Sequence, residues 1–120
     1  VVLAGVTDPV AGIMGKEVPD IRKALAGAPE KGVRILAAHQ PRLAPEAAEH
    51  GVDLQVSGHT HGGQIKLPFF STPLLTSEGE TMYSGFHPYE DKQVFVTRGI
   101  GYIGPGRFNC PPEINLITIP

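Results

Sequence analysis

LQVSGHTHGGQ (residues 54–64) is the segment of this chain that is most informative about its fold. Its first four residues contain apolar Leu54 and Val56 and are typical of a buried strand, which stops at Gly58. Two histidines, His59 and His61, follow between glycines. Ligands of open α/β sheets bind just beyond the carboxyl ends of parallel strands. The stretch therefore predicts a strand of such a sheet with a ligand site at its end.

The rest of the first half alternates strands with helices. Apolar runs at residues 1–6 and 33–38 predict two more buried strands. Pro19 and Asp20 predict the start of one helix, and a second helix is predicted over residues 43–48. Strands that alternate with helices in this way indicate βαβ units, so we expect an α/β fold with a mainly parallel sheet.

The second half has a different character. Residues 65–120 show no amphipathic helix pattern, whereas residues 93–97 and 114–119 read as strands. The 15 glycines and 12 prolines of the chain predict many turns and shaped loops between such elements. Antiparallel pairing is the simpler expectation for strands joined in this way.

Composition excludes several classes of protein. The chain has 120 residues, which allows a single domain or a piece of one. It begins inside an apolar run without a methionine, which predicts a piece excised from a longer protein. The net charge of −2 offers no basic footprint for nucleic acid. No apolar run approaches the roughly 20 residues of a membrane helix, so the sequence predicts a soluble segment.

Three histidines are candidate metal ligands. On an extended segment, His59 and His61 would project to the same side and reach one ion or two neighbouring ions. His39 follows the adjacent predicted strand, so it could converge with His59 at one sheet edge. The alternatives are two surface histidines in a turn and a hydrogen-bonded histidine that closes a strand. The single cysteine, Cys110, precedes no helix, and we expect a packed thiol rather than a nucleophile.

Two segments together carry a resemblance to a known family. LAAHQPR (residues 36–42) and VSGHTHGGQ (residues 56–64) resemble the C-terminal half of a calcineurin-like metallophosphoesterase. The similarity is strongest to the bacterial, often membrane-anchored YkuE-type phosphoesterases. VTRGIG (residues 96–101) and RFNCPPEI (residues 107–114) extend it over nearly the whole chain.

The resemblance implies a fold, a metal centre and a reaction. The fold would be part of a four-layer α/β sandwich, with two divalent ions (Mn, Zn or Fe) at the strand ends. His39 and His59 would bind one ion and His61 the other. A hydroxide between the ions would attack phosphorus, so the expected activity is hydrolysis of a phosphomonoester, phosphodiester or pyrophosphate bond. The substrate would be a phosphorylated small molecule or a lipid-linked phosphate.

The chain also departs from the family. The earlier family motifs Asp-x-His, Gly-Asp-x-x-Asp and Gly-Asn-His-Asp/Glu do not occur in it. Thr7-Asp8-Pro9 matches the strand end that follows those motifs and does not replace them. We therefore expect residues 1–120 to be the C-terminal portion of one metallophosphoesterase domain, with an incomplete site. This portion alone would be inactive and would contain no catalytic residue besides metal ligands.

Further residues have both a functional and a structural interpretation. The candidates to line the substrate cleft are Arg98, Asn109 and Gln64. The structural alternatives are a solvated side chain for Arg98, a turn residue for Asn109 and a turn cap for Gln64. An apolar rim for a lipid-like substrate is one interpretation of the phenylalanines at 69 and 70, between Pro68 and Pro73, and loop packing is the other.

A non-catalytic role is the alternative function. A free-standing half-domain could bind a single metal ion or a partner through the open edge of its sheet. An unpaired edge strand also favours pairing with a second copy of the chain, so a dimer is expected under this hypothesis.

Overall fold

The computed structural model describes residues 1–70 and 81–119, and a five-stranded sheet forms the centre of this part of the chain. Its strands lie in the spatial order β1-β2-β3-β5-β4. Strands β1, β2, β3 and β5 run parallel, and β4 is antiparallel to β5. The strand bounds are β1 Val2–Gly5, β2 Arg34–Ala37, β3 Leu54–Ser57, β4 Gly85–Tyr89 and β5 Lys92–Val96. The predicted α/β class and the parallel sheet of the first half are confirmed.

Short helices connect the first three strands. The α-helices are α1 Ile21–Ala24 and α2 Ala44–Glu49. Asp20 begins α1 because its carboxylate accepts a hydrogen bond of 2.8 Å from the backbone N–H of Lys23, which would otherwise be unpaired. Single 3₁₀ turns occupy Pro9–Gly12, Pro41–Leu43 and His61–Gly63. Both predicted helices are confirmed.

The core lies between the helices and the sheet. Ile21 of α1 and Leu36 of β2 are completely buried, and they anchor the larger of two apolar clusters. Burying apolar surface contributes about 25 cal/mol per Å², so this cluster holds α1 and α2 on the sheet. The larger cluster contains Ala4, Ile21, Leu36, Ala38, Leu43, Ala47 and Val52, and the smaller one Ala44, Val94 and Val96.

The strand register places three loops at one edge of the sheet. Gly5 of β1 is paired with Ala37 of β2, which is in turn paired with Val56 of β3. The three strands therefore end at nearly the same level. The residues that follow them leave the sheet side by side, which positions the candidate site.

The second half differs from its prediction in two places. Antiparallel pairing is confirmed for β4 with β5, but β5 also pairs in parallel with β3. The strand predicted over residues 114–119 is wrong, because residues 111–119 form no strand and expose Ile114 and Leu116 almost fully. This segment is held by separate contacts instead. The Glu113 N–H donates to the Gly99 carbonyl at 3.0 Å, the Glu113 side chain binds Arg98, and Asn115 accepts a hydrogen bond of 2.6 Å from Thr97 Oγ1. Residues 71–80 lie outside the described part.

The strand β1 forms one edge of the sheet. Leu3 in this strand and Val1 just before it are largely exposed, at 74% and 81%. Pairing of a second copy at this edge stays a prediction.

Candidate metal site

The structure brings His39 and His59 into contact. Their rings meet edge to face, with centroids 5.1 Å apart and an interplanar angle of 76°. The two loops are tied by a hydrogen bond of 3.0 Å from the Gly58 backbone N–H to the carbonyl of His39. The register of β2 and β3 explains this proximity, as the strand pattern predicts.

Asp8 lies beside the two histidines. Its Oδ2 is 3.6 Å from His39 Nε2. Its Oδ1 accepts two hydrogen bonds of 2.8 Å, from the Val10 backbone N–H and from Gln40 Nε2. Sequence reasoning assigned Thr7-Asp8-Pro9 only to a strand end and missed this contact. The available signal was positional, since a polar residue after β1 emerges at the same sheet edge as those after β2 and β3.

The surroundings of Asp8 favour its charged form. Partial burial raises the pKa of this carboxyl, but the hydrogen bonds from Val10 and Gln40 and the nearby histidines His39 and His59 lower it. The lowering effects together outweigh burial, and the pKa lies below its ordinary value. This edge of the sheet therefore carries a carboxylate next to two imidazoles.

A buried polar chain supports the main chain at His39. Gln40 and Gln55 are both buried, at 4% and 1% exposure. Gln55 Nε2 lies 3.2 Å from the carbonyl of Gln40, 3.3 Å from that of Pro41 and 2.9 Å from Ser57 Oγ. The paired Gln55 Nε2 favours one conformation of this loop, whereas the buried Oε1 of Gln55 has no partner among the described residues.

The loop that carries His59 and His61 is a tight turn. The backbone φ is 66° at His59 and 51° at His61, which is the left-handed region. The Thr60 N–H donates to the Gly58 carbonyl and the Gly63 N–H to the Thr60 carbonyl, both at 2.7 Å. The prediction of an extended segment is wrong, because β3 ends at Ser57 and these hydrogen bonds curl the chain immediately afterwards.

The ring of His61 lies against a different loop. A β-carbon built on Gly101 would be 3.9 Å from His61 Cε1. Its Nδ1 is buried and has no hydrogen-bond partner among the described residues. A buried ring nitrogen without a partner is energetically unfavourable, so it marks a place where a ligand could bind.

Arg107 holds the His61 loop against the loop that follows β5. Its guanidinium donates to backbone carbonyl groups from both loops, and side chains of this kind make short, strong hydrogen bonds. The acceptors are the carbonyls of His61, Arg98, Gly99, Gly101 and Cys110. Sequence reasoning used Arg107 only as part of a family-like segment and missed this role.

The three candidate substrate residues occupy different environments. Gln64 is 2% exposed, and its side-chain amide pairs with the backbone N–H and carbonyl of Ile103. Arg98 lies in an ion pair with Glu113. Asn109 is exposed and has a φ of 51°. Their contact with substrate stays a prediction.

The remaining residues singled out from the sequence lie in loops. The thiol of Cys110 is 1% exposed and lies 3.4 Å from the carbonyls of His61 and Gly62, which confirms a packed thiol. Phe69 and Phe70 are exposed at 104% and 66%, so neither packs into the core. Pro73, the second flank of the predicted apolar rim, lies outside the described residues.

The donor set fits a metal ion in its chemistry but is incomplete. Imidazole and carboxylate are ordinary ligands of divalent transition metals. Across residues 1–70 and 81–119, no three His, Cys, Asp or Glu side chains form a group able to hold a metal ion.

The same ranges contain no helix of the length and apolar character that crossing a bilayer requires.

The chain is similar to several bacterial proteins. No protein-family model matches it, and no solved structure matches it. It is 35% identical to the uncharacterised metallophosphoesterase YkuE of Bacillus subtilis, over 84% of this chain and 36% of that protein. It is 42% identical to an uncharacterised metallophosphoesterase of Helicobacter pylori, over 98% of this chain and 31% of that protein. The phosphodiesterase YaeI of Escherichia coli is 30% identical over 72% of this chain and 32% of its own length.

These similarities confirm the resemblance seen in the sequence, because over most of its length the chain is 30–42% identical to proteins named as metallophosphoesterases or a phosphodiesterase. It spans about a third of the length of the three relatives named above. The five-stranded mixed sheet is consistent with part of a metallophosphoesterase α/β sandwich.

Proposed function

We propose that this chain forms part of a metal-dependent phosphoesterase in which His39 and His59 hold one divalent ion and His61 holds a second. The observation that carries the proposal is the ring contact between His39 and His59 at the carboxyl ends of β2 and β3. The names of the relatives support the reaction class.

The geometry at His39 and His59 suits a shared ion. Rings with centroids 5.1 Å apart are close enough for one nitrogen of each to bind the same ion. Neutral imidazoles would leave a bound ion with its positive charge, which suits an anionic phosphate ester. The unpaired Nδ1 of His61 supports a ligand role for this histidine as well.

The proposed centre needs residues beyond those described. The three histidines are fewer ligands than a pair of metal ions requires. We therefore propose that the remaining ligands lie outside this chain, and that the chain alone is inactive. The metal would be Mn, Zn or Fe.

The reaction would depend on positioning by this chain and on the metal. Bound divalent ions would supply Lewis-acid chemistry, which offsets charge on phosphoryl oxygens. The loops that carry His39, His59 and His61 would orient the ions, and Arg98, Asn109 and Gln64 would border the substrate. The relative YaeI is named a phosphodiesterase, which favours a phosphodiester among the candidate bonds, in a phosphorylated small molecule or a lipid-linked phosphate. Membrane anchoring of the longer protein that would contain this chain stays a prediction.

The test is hydrolysis by matched histidine variants of the longer protein. Bis-p-nitrophenyl phosphate and p-nitrophenyl phosphate serve as diester and monoester probes, with added Mn²⁺ or Zn²⁺. We expect His59→Ala to reduce hydrolysis at least 100-fold and His87→Ala to leave it nearly unchanged. His87 is the matched control because it lies within β4 and its ring is hydrogen-bonded to the backbone carbonyl of Ser84. Hydrolysis by His59→Ala at the unmodified rate would overturn the proposal.

A further inference from the structure

We infer that Asp8 is a positioning residue for His39. This inference rests on the proposed function, because it concerns how His39 would be presented to a metal ion. The carboxylate of Asp8 would keep the ring proton on His39 Nε2, and the lone pair of Nδ1 would then be free to bind the metal.

The first support is the placement of the carboxylate. Its Oδ2 is 3.6 Å from His39 Nε2, within ion-pair range but longer than a hydrogen bond. At this separation a negative charge favours an N–H dipole that points toward it over a lone pair. Histidines that ligate metals commonly direct their other nitrogen at a carboxylate, and loss of that carboxylate typically weakens metal binding 10- to 100-fold.

The second support is that the carboxylate is itself held in place. Oδ1 accepts from the Val10 N–H and from Gln40 Nε2, so Oδ2 is the oxygen directed at His39. Gln40 is buried, and its own carbonyl is bound by Gln55. Gln40 is also the residue next to His39, so one buried side chain couples the carboxylate to the main chain of the histidine.

The variant Asp8→Asn separates positioning from a purely structural role. Asparagine keeps an oxygen that can accept from Val10 and Gln40, so the turn at Pro9–Gly12 retains its cap. It replaces Oδ2 with an amide nitrogen, which cannot favour a proton on His39 Nε2. Asp20→Asn is the matched control, because Asp20 caps α1 through a similar 2.8 Å hydrogen bond to a backbone N–H.

Two measurements test the inference. Long-range ¹H–¹⁵N NMR of the metal-free chain at pH 8 reports which nitrogen of His39 carries the proton. We expect Nε2–H in the unmodified chain and a shift toward Nδ1–H in Asp8→Asn. Calorimetric titration of the longer protein with Zn²⁺ measures affinity, and we expect Asp8→Asn to bind 10- to 100-fold more weakly while Asp20→Asn stays within twofold.

The outcomes are distinguishable. A proton on His39 Nδ1 in the unmodified chain would overturn the inference, as would equal Zn²⁺ affinity for Asp8→Asn and the unmodified protein. If the unmodified protein binds no Zn²⁺, Mn²⁺ or Fe²⁺, the proposed function fails. The tautomer of His39 then still decides whether Asp8 orients the ring, because that measurement needs neither metal nor a variant.

Discussion

The guanidinium of Arg107 donates a hydrogen bond of 3.0 Å to the main-chain carbonyl of His61. The same side chain binds carbonyls of the loop after β5, including those of Arg98 and Gly101. One cation therefore fixes the separation of the two loops that border the candidate site. The position of His61 depends on this contact as well as on the end of β3.

Arg107→Lys is expected to destabilise the chain by about 2–4 kcal/mol. A lysine ammonium has three donors on one atom and cannot reach five carbonyl groups that a planar guanidinium binds at once. Urea unfolding monitored by circular dichroism measures the change. Arg22→Lys, at an exposed position of α1, is the control and should change stability by less than about 0.5 kcal/mol. Equal stability of the two variants would show that the Arg107 contacts contribute nothing.

Gly62→Ala is expected to destabilise the chain through two effects. Gly62 has a φ of 65°, and a β-carbon there would lie 2.5 Å from Arg98 Cγ and 2.8 Å from Cys110 Sγ. The left-handed backbone costs roughly 1–2 kcal/mol for alanine, and the clash adds about 1–3 kcal/mol.

Gly15→Ala separates these two effects in the same urea unfolding measurement. Gly15 has a φ of 68° but nothing within 4 Å of its built β-carbon, so only the backbone effect remains. We expect Gly62→Ala to be the more destabilising of the two. Equal losses would mean that the close packing around Gly62 is absent in solution.

The ion pair of Glu113 with Arg98 predicts a pH-dependent stability. Hydrogen bonds from the Arg98 guanidinium and then its backbone N–H lower the pKa of Glu113, and partial burial opposes them. Because the folded-state pKa is lowered, the stabilisation is complete above the ordinary value of 4.5 and is lost as the pH falls through the folded-state value. Glu113 is 19% exposed in its side chain, so solvent screens the pair only in part.

Glu113→Gln tests this pH dependence by urea unfolding at pH 7, 5 and 3.5. The variant should be less stable than the unmodified chain at pH 7, and the difference should shrink at pH 3.5. Glu30→Gln, at an exposed position, serves as the control. A difference that is constant from pH 7 to 3.5 would contradict the contribution of the Glu113 charge.

Local sequence patterns predict the positions of His39 and His59. Apolar runs that stop at polar or glycine residues identify strand ends, and parallel strands bring these ends together. The same reasoning could have included Asp8 after β1. It was missed because its contact with Gln40 joins distant parts of the chain, and no local pattern encodes that pairing.

The sequence predictions that the structure contradicts also failed because they depend on contacts between distant parts of the chain. The parallel pairing of β5 with β3 depends on which edge of the sheet is open, and this is not written in the sequence of β5. Residues 114–119 have the apolar pattern of a strand, but they form none because no partner strand lies beside them among the described residues. The turn at His59 and His61 requires positive φ at two histidines, a conformation that residues other than glycine seldom adopt. Tertiary contacts such as those of Arg107 stabilise this turn, and they are not visible in a local pattern.

Metal content of matched histidine variants tests whether His59 is a metal ligand. The longer protein, its His59→Ala variant and its His87→Ala variant are loaded with Mn²⁺ or Zn²⁺, passed through gel filtration and measured by elemental analysis. We expect two ions per protein for the unmodified form and for His87→Ala, and the loss of at least one ion from His59→Ala. Equal metal content in all three would contradict the assignment of His59 as a ligand and, with it, the proposed metal centre.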